Sequence, residues 1–305
     1  MSLVNKEGAK ALKAQVLGDI DVRGFELSGA IYKHFSQLHE IDYYPVKNIE
    51  ELLLRQKEYE VSQIGVWADV PKGLVRFSPS GASKCERELY YKAIKAPQDI
   101  QTMYPFQRRW TRNASAIHEA VQTDLLYAEY LLKDPSFKVA RMNNGLPAWE
   151  KNLQTCKTLK HNGIEFALLG MMDGVLWYTK DGSKVGFEFK TKSTTIGAVG
   201  NFKMKDAQDS HKEQCVAYSI LFGMDEFILM YESLAKDNWN KGADAKLDFR
   251  TFYLKVTEDD RNALLNKFSK IAKAVKENET PAGDFDKCLF CPYKTVCSKQ
   301  EEDIA

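Results

Sequence analysis

The stretch Gly186-Phe187-Glu188-Phe189-Lys190 sets a carboxylate and an ammonium two residues apart in a strand-like run. Side chains two apart on a strand project to the same face, so Glu188 and Lys190 point together. Asp173 lies fifteen residues before Glu188, in Leu169-Gly170-Met171-Met172-Asp173-Gly174, at a strand junction. Residues 163 to 190 alternate in the manner of strands, and Lys180-Asp181-Gly182 supplies a turn between two runs rich in Phe, Val, Trp and Tyr. A hairpin turning there returns the chain beside Asp173. Two carboxylates and an ammonium then share one site. Hard divalent cations prefer such oxygen donors, and a cation so held can polarise a phosphate and lower the pKa of an attacking water. Lys190 is placed to position that water or to offset developing charge.

Outward from this centre the periodicities predict a mixed chain. Residues 1 to 75 read as mainly helical, with Ile49, Leu52, Leu53 and Leu54 on one apolar face, until the stretch from Gly65 to Gly73 breaks the pattern. From Phe77 onward, Pro79 and Ser80 act as start signals, and Leu89, Tyr90 and Ile94 follow at helical spacing. Further helices are predicted over 111–132, 211–222 and 257–276, and strands over 227–231 and 249–256. In the last helix Leu264, Leu265, Phe268, Ile271, Ala272 and Val275 keep a 3.6-residue period. Strands and helices mixed in this way with short connections predict an α/β core, a central sheet flanked by helices. The expected division is a helical N-terminal region over 1–75, a catalytic domain over 76–300 and a short tail over 301–305.

The chain has 305 residues, 44% of them hydrophobic and 28% charged, enough for a full core. It has no run of eighteen apolar residues, and its opening MSLVNKEGAK has neither a hydrophobic leader core nor an Arg-rich amphipathic pattern. The expectation is a cytoplasmic protein with no membrane partner. A formal net charge of +1 argues against coating nucleic acid through bulk charge and leaves room for a local basic patch. The sequence holds no G-x4-G-K-[ST] phosphate loop, so any unwinding would come from a partner.

The ordered set His118, Asp173, Glu188-x-Lys190 and Gln214-x3-Tyr218 resembles the nuclease domain of the RecB-like branch of the PD-(D/E)XK superfamily, over roughly residues 78 to 300. Gln214 and Tyr218 share a helix face at i and i+4, and His118 lies on another predicted helix. The resemblance implies a restriction-endonuclease-like mixed sheet. It also implies that His118, Asp173, Glu188 and the backbone carbonyl of Phe189 hold Mg2+ or Mn2+, that Lys190 assists the nucleophilic water, and that Gln214 and Tyr218 support the site and the DNA near it. One departure is Ala114, where such sequences often carry glycine four residues before the histidine; alanine is still small enough for close helix packing.

Six cysteines occur, and three cluster as Cys288-x2-Cys291-x5-Cys297. Thiolates at this spacing can grip one metal centre, but a closed site needs a fourth ligand. Cys85, in Ser80-x4-Cys85-x-Arg87-x2-Tyr90, is the candidate. The resemblance narrows here to the iron-sulfur RecB-like exonucleases, which include the CRISPR-adaptation exonucleases and the AddB nuclease domain. There, one cysteine before and three after the nuclease motifs hold a 4Fe-4S cluster. Structural Zn2+ is the alternative, since four thiolates suit it as well. Cys156 and Cys215 read as packing residues.

Between Arg76 and Arg112 the chain carries eight Lys or Arg against three acidic residues, with Tyr90, Tyr91, Tyr104, Phe106 and Trp110 interleaved. Guanidinium groups neutralise phosphates while aromatics stack on exposed bases, so Arg87, Arg108, Arg109 and Arg112 are expected contacts to single-stranded DNA or single-stranded ends. The resulting expectation is a metal-dependent DNA exonuclease in recombination or end processing, of phage, CRISPR-associated or host origin, acting alone or with a helicase or recombination partner. The rival readings are a structure-specific endonuclease using the same residues and a non-catalytic iron-sulfur scaffold that binds DNA.

Overall fold

The computed structural model describes residues 21–42, 45–66, 68–100 and 102–302. The opening segment read above for a leader, and the last three residues of the tail, lie outside the described residues. In chain order the main elements are α1 (Val22–His39), α2 (Lys47–Ser62), β1 (Arg76–Phe77), α3 (Glu86–Ala93), α4 (Pro105–Leu131), β2 (Phe137–Val139), β3 (Thr155–His161), β4 (Ile164–Gly170), β5 (Gly174–Tyr178), β6 (Lys184–Lys192), α5 (Asp209–Phe222), β7 (Glu226–Ser233), β8 (Phe249–Lys255), α6 (Glu258–Glu277) and α7 (Lys294–Glu302).

A five-stranded sheet runs β2-β5-β6-β7-β8, and a smaller one runs β1-β4-β3. In the larger sheet β6 and β7 are parallel while the other pairs are antiparallel. Parallel neighbours need a crossover, and α5 supplies it. The expected mixed α/β sheet flanked by helices is therefore present. The turn between β5 and β6 falls where Lys180-Asp181-Gly182 placed it, with Gly182 at φ 72°, a conformation that favours glycine. Among the described residues no helix is long and apolar enough to cross a membrane.

Strand β6 is covered on both faces, and Val185 to Phe189 are all buried. Gly186 leaves room for the Phe227 ring, which a Cβ there would strike. Alternation sorts its neighbours: Phe187 and Phe189 join Leu27, Ile31 and Phe35 of α1 in one core, while Phe227, Leu229 and Tyr231 of β7 join α5 and α6 in the other. The N-terminal helices α1 and α2 thus share a core with the central sheet and with Leu125 and Leu126 of α4.

Several boundaries differ from the sequence reading for identifiable reasons. Helix α4 begins at Pro105 rather than near residue 111, because proline is well suited to the first helical position, where its missing N–H costs nothing. Strand β3 was not anticipated, although Asn162-Gly163, both at positive φ (49° and 77°), form the two-residue turn that pairs β3 with β4. Helix α6 starts one residue after Thr257, whose side chain accepts a bond from Asp260 N and caps it.

Phe35 is fully buried, with its ring 6.5 Å from that of Phe187. Phe35→Ala is expected to lower unfolding stability by about 3–5 kcal/mol, read from urea denaturation. A loss under 1 kcal/mol would show that α1 is not part of the sheet's core.

Candidate active site

The carboxyl-terminal half of β6 carries Glu188 and Lys190 toward α5, as their spacing requires. Glu188 is completely buried, and its carboxylate has no hydrogen-bond partner apart from Lys190. Its charged contact is the ion pair with Lys190 Nζ. Burial, and then the neighbouring Asp173, push the Glu188 carboxyl up to about 8. Burial alone would depress the Lys190 ammonium, but the Glu188 and Asp173 carboxylates outweigh it and raise it.

Asp173 sits between β4 and β5, where the β5–β6 pairing ends at Gly174 opposite Phe187. Its Oδ2 accepts from Phe189 N at 2.8 Å, and its carbonyl accepts from Gln122 Nε2 at 3.0 Å. The N–H and C=O of one strand residue point to the same side, so the Phe189 carbonyl also faces the Asp173 side beyond the end of β5. His118, one turn before Gln122 on α4, sets its Nδ1 3.7 Å from Asp173 Oδ2 and packs edge-on against the Phe189 ring at 4.9 Å. Burial, opposed by Asp173 and joined by Lys190, lowers the His118 pKa and favours the neutral imidazole.

Glu150 completes this group and was missed in the sequence. It enters a short 3-10 turn (Glu150–Leu153) at φ 45°, and its N–H donates to the carbonyl of Met172, next to Asp173, at 2.8 Å. Burial, followed by Asp173 and Glu60, lifts its carboxyl to about 7. Ligand atoms of His118, Glu150 and Asp173 all lie within 4.8 Å of one another. An octahedral ion with bonds of about 2.1 Å separates its ligands by about 3.0 to 4.2 Å. The set therefore fits a hard divalent cation on spacing and on donor chemistry. Glu188 falls outside that cluster and faces Lys190 instead. Nothing in the spacing of Trp149-Glu150-Lys151 marks Glu150, because it reaches the site through a turn rather than through a periodic element.

On α5, Gln214 Nε2 donates to Tyr218 Oη at 2.6 Å. Burial, with Glu188 and Asp173 nearby, raises the Tyr218 hydroxyl far above its ordinary range, so it stays protonated. Cys215 is buried behind Glu188 and Lys190, and burial raises its thiol well above the usual value. Further along β6, Lys192 donates to Gln208 Oε1 at 2.8 Å. His211, which no sequence motif marked, bonds Tyr231 Oη through Nδ1 at 2.8 Å; burial, then Lys190 and Lys192, push it down to about 4.

A family model described as the PD-(D/E)XK nuclease superfamily matches residues 87–298, more than two-thirds of the chain. The chain belongs to the PD-(D/E)XK nuclease superfamily. Nucleases of this superfamily use divalent metals, which agrees with the acidic cluster beside β6. No curated protein sequence matches this one. Among solved structures, that of SSO0001 aligns at 16% identity and a TM-score of 0.41, covering 84% of this chain and 98% of the other. An alkaline exonuclease (LHK-Exo) from Laribacter hongkongensis aligns at 9% identity and a TM-score of 0.42, covering 76% of this chain and 96% of its own. The same exonuclease in complex with dAMP gives 9% and 0.41 with the same coverage.

Away from the nuclease motifs, Cys85, Cys288, Cys291 and Cys297 line one cavity together with Arg87, Glu88 and Gly283. All four are free thiols. Asp284 N lies 3.3 Å from Cys85 Sγ and Arg87 Nη1 3.3 Å from Cys297 Sγ. Thiols gathered on one cavity, with N–H donors aimed at sulfur, fit a thiolate-bound metal centre. Arg87 requires a correction as a DNA contact: it is buried, and its guanidinium is held by Cys297 and by the Pro281 carbonyl at 2.8 Å. Tyr90 and Tyr91 are likewise core residues, because α3 packs both into the interior against α6 and Tyr293. Arg108, Arg109 and Arg112 are exposed, as are Tyr104, Phe106 and Trp110.

The raised carboxyls give a signed pH dependence for metal-free protein. Glu188 and Glu150 hold protons in the fold that the unfolded chain releases above its ordinary value of 4.5. Their stabilisation is therefore complete below that value and is lost as pH rises through about 7 and then 8. In EDTA the melting temperature is expected to fall between pH 5 and 8, by something on the order of 5 °C. Glu188→Gln, neutral throughout, should flatten most of that slope; an unchanged slope in that variant would place the titration elsewhere.

Proposed function

We propose that the chain is an Mg2+- or Mn2+-dependent DNA exonuclease of the RecB-like iron-sulfur type, acting on strand ends in recombination or end processing. The observation that carries this reading is the convergence of Asp173, Glu188, Lys190 and His118 where β5 begins beside β6, with the Glu188 carboxylate buried and answered only by Lys190. An ionised carboxylate in such surroundings is costly unless a charge compensates it, and Lys190 alone serves one of its oxygens.

Asp173, Glu150 and His118 would hold the cation, joined by Glu188 and the Phe189 carbonyl. A divalent cation supplies Lewis-acid polarisation of the scissile phosphate. Lys190, released from Glu188, would orient the attacking water and offset the charge that develops on the phosphate. Gln214 would fix the Tyr218 hydroxyl as a donor toward the phosphate oxygens. Asp173, pinned by the Phe189 N–H and by Gln122, keeps one carboxylate in place without moving a strand.

The second part of the proposal is that Cys85, Cys288, Cys291 and Cys297 hold a 4Fe-4S cluster that closes the domain over 76–300. All four thiols line the one cavity described above. Tying residue 85 to residue 288 constrains a loop of some two hundred residues, worth several kcal/mol by the loop-closure account.

End-labelled linear DNA, single- and double-stranded, should be degraded from its ends with Mg2+ or Mn2+ and not with EDTA, while a circular single strand survives. Asp173→Ala and Lys190→Ala are expected to cut at least about a hundredfold more slowly. Cutting at the wild-type rate by both variants, freed of contaminating nuclease, would overturn the nuclease reading; cleavage of the circle would make it an endonuclease. Protein purified without oxygen should be brown, and Cys291→Ser should bleach it and lower its melting temperature. Stoichiometric zinc without iron would replace the cluster with the zinc alternative.

A further inference from the structure

The amino-terminal half of α4 lies open to solvent. From Tyr104 to Ala116 almost every residue is exposed, including Tyr104, Phe106 and Trp110, each with about half of its surface open (57%, 51% and 49%). The Tyr104 and Phe106 rings stack at 6.1 Å, and Phe106 meets Trp110 edge-on at 6.0 Å. No acidic residue occurs between Asp99 and Glu119. Among the described residues no carboxylate pairs with Arg108, Arg109 or Arg112, and Arg112 bonds only its neighbour Asn113.

The helical wheel organises these side chains about the line that leads to the active site. At about 100° per residue, Gln107, Thr111 and Ala114 fall within roughly 40° of the direction of His118. Trp110 and Phe106 fall at about 80° and 120° to one side of that line, and Arg108 and Arg112 at about 80° and 120° to the other. A chain laid along the His118 face would therefore meet rings on one flank and guanidinium groups on the other. A single nucleic-acid strand has this same division, bases on one side and phosphates on the other. In a duplex the base faces are already stacked on one another, so the rings would have nothing to take.

We infer that this half of α4 is a binding arm for single-stranded nucleic acid that leads the strand end to His118. The identity of the strand as substrate rests on the nuclease reading; the arm itself does not. With a rise of about 1.5 Å per residue, Trp110 lies about 12 Å and Tyr104 about 21 Å from His118 along the helix. At about 3.4 Å per nucleotide the arm spans roughly the fourth to the sixth nucleotide from the reacting end. Strands shorter than this reach the site without touching it.

The test is a titration of the full chain in EDTA, which prevents metal-dependent cleavage, with fluorescein-labelled oligo(dT) of 4, 8 and 20 nucleotides and a blunt duplex of 20 base pairs. The 20-mer is expected to bind well above the 4-mer and the duplex, and to quench tryptophan emission. Phe106→Ala with Trp110→Ala should weaken it about tenfold or more, and Trp110→Phe should restore most of that loss. Arg108→Gln with Arg112→Gln should lower the slope of log affinity against log salt by about 1.4. Unchanged oligo(dT) binding in both double variants, with unchanged melting temperatures, would overturn the arm. So would an arm variant that breaks an oligomer while keeping its affinity for oligo(dT), which would make the arm a contact between copies. A wild-type protein that binds oligo(dT) through these residues yet cuts no DNA with any divalent cation would overturn the nuclease reading and leave the arm standing.

Discussion

Burying the Glu188 carboxylate in the middle of the central sheet is the constraint on which the rest of the structure turns. A charge removed from water there would unfold a domain of ordinary marginal stability, so the fold has to answer it locally. Lys190, two residues along the same strand face, gives one answer, and a raised carboxyl pKa gives another. Under the proposed function both are provisional, because a divalent cation would release either. The surrounding elements are rigid where this exchange requires it. Strand β6 is covered on both faces, Asp173 is tied to the Phe189 N–H, and α4 and α5 bring His118, Tyr218 and Cys215 against opposite sides of the same strand end.

Much of this was legible in the sequence because it depends on short-range rules. The period of two put Glu188 and Lys190 on one face, the Asp181-Gly182 turn brought Asp173 alongside, and the i to i+4 spacing joined Gln214 to Tyr218 in a hydrogen bond. The residues that escaped notice are those placed by tertiary packing. Glu150 arrives through a turn with positive φ, and His211 is brought to Lys190 and Lys192 by the way α5 crosses the sheet. Arg87 shows the opposite failure. A count of basic residues treats all of them as surface charge, whereas this one turns inward because Cys297 and the Pro281 carbonyl give it partners. The same count mixed the core tyrosines of α3 with the exposed rings at the start of α4.

The acidic cluster and the thiol cavity make different demands on the chain. The acidic cluster is assembled from α4, the β4–β5 junction and the turn at residue 150, beside β6, all stretches between residues 105 and 192. The thiol cavity joins the start of α3 to the segment before α7 and to Cys297 within α7; under the proposed function a group held there would act on the closure of the chain. The N-terminal helices add a third element. Leu27, Ile31 and Phe35 cover the face of the sheet opposite α5, and α2 brings Glu60 near enough to act on Glu150. The helical stretch before residue 75 therefore contributes both to the core and to the electrostatics of the site.

At the centre of the proposed chemistry is a cation bound among His118, Glu150 and Asp173 that draws Glu188 away from Lys190. Anomalous diffraction from crystals soaked in Mn2+ addresses this directly. The expected result is a peak bounded by Asp173, Glu150 and His118, with the Glu188 carboxylate or the Phe189 carbonyl turned toward it and the Glu188–Lys190 ion pair opened. A saturating soak that leaves this position without a peak, with Glu188 still paired to Lys190, would contradict it.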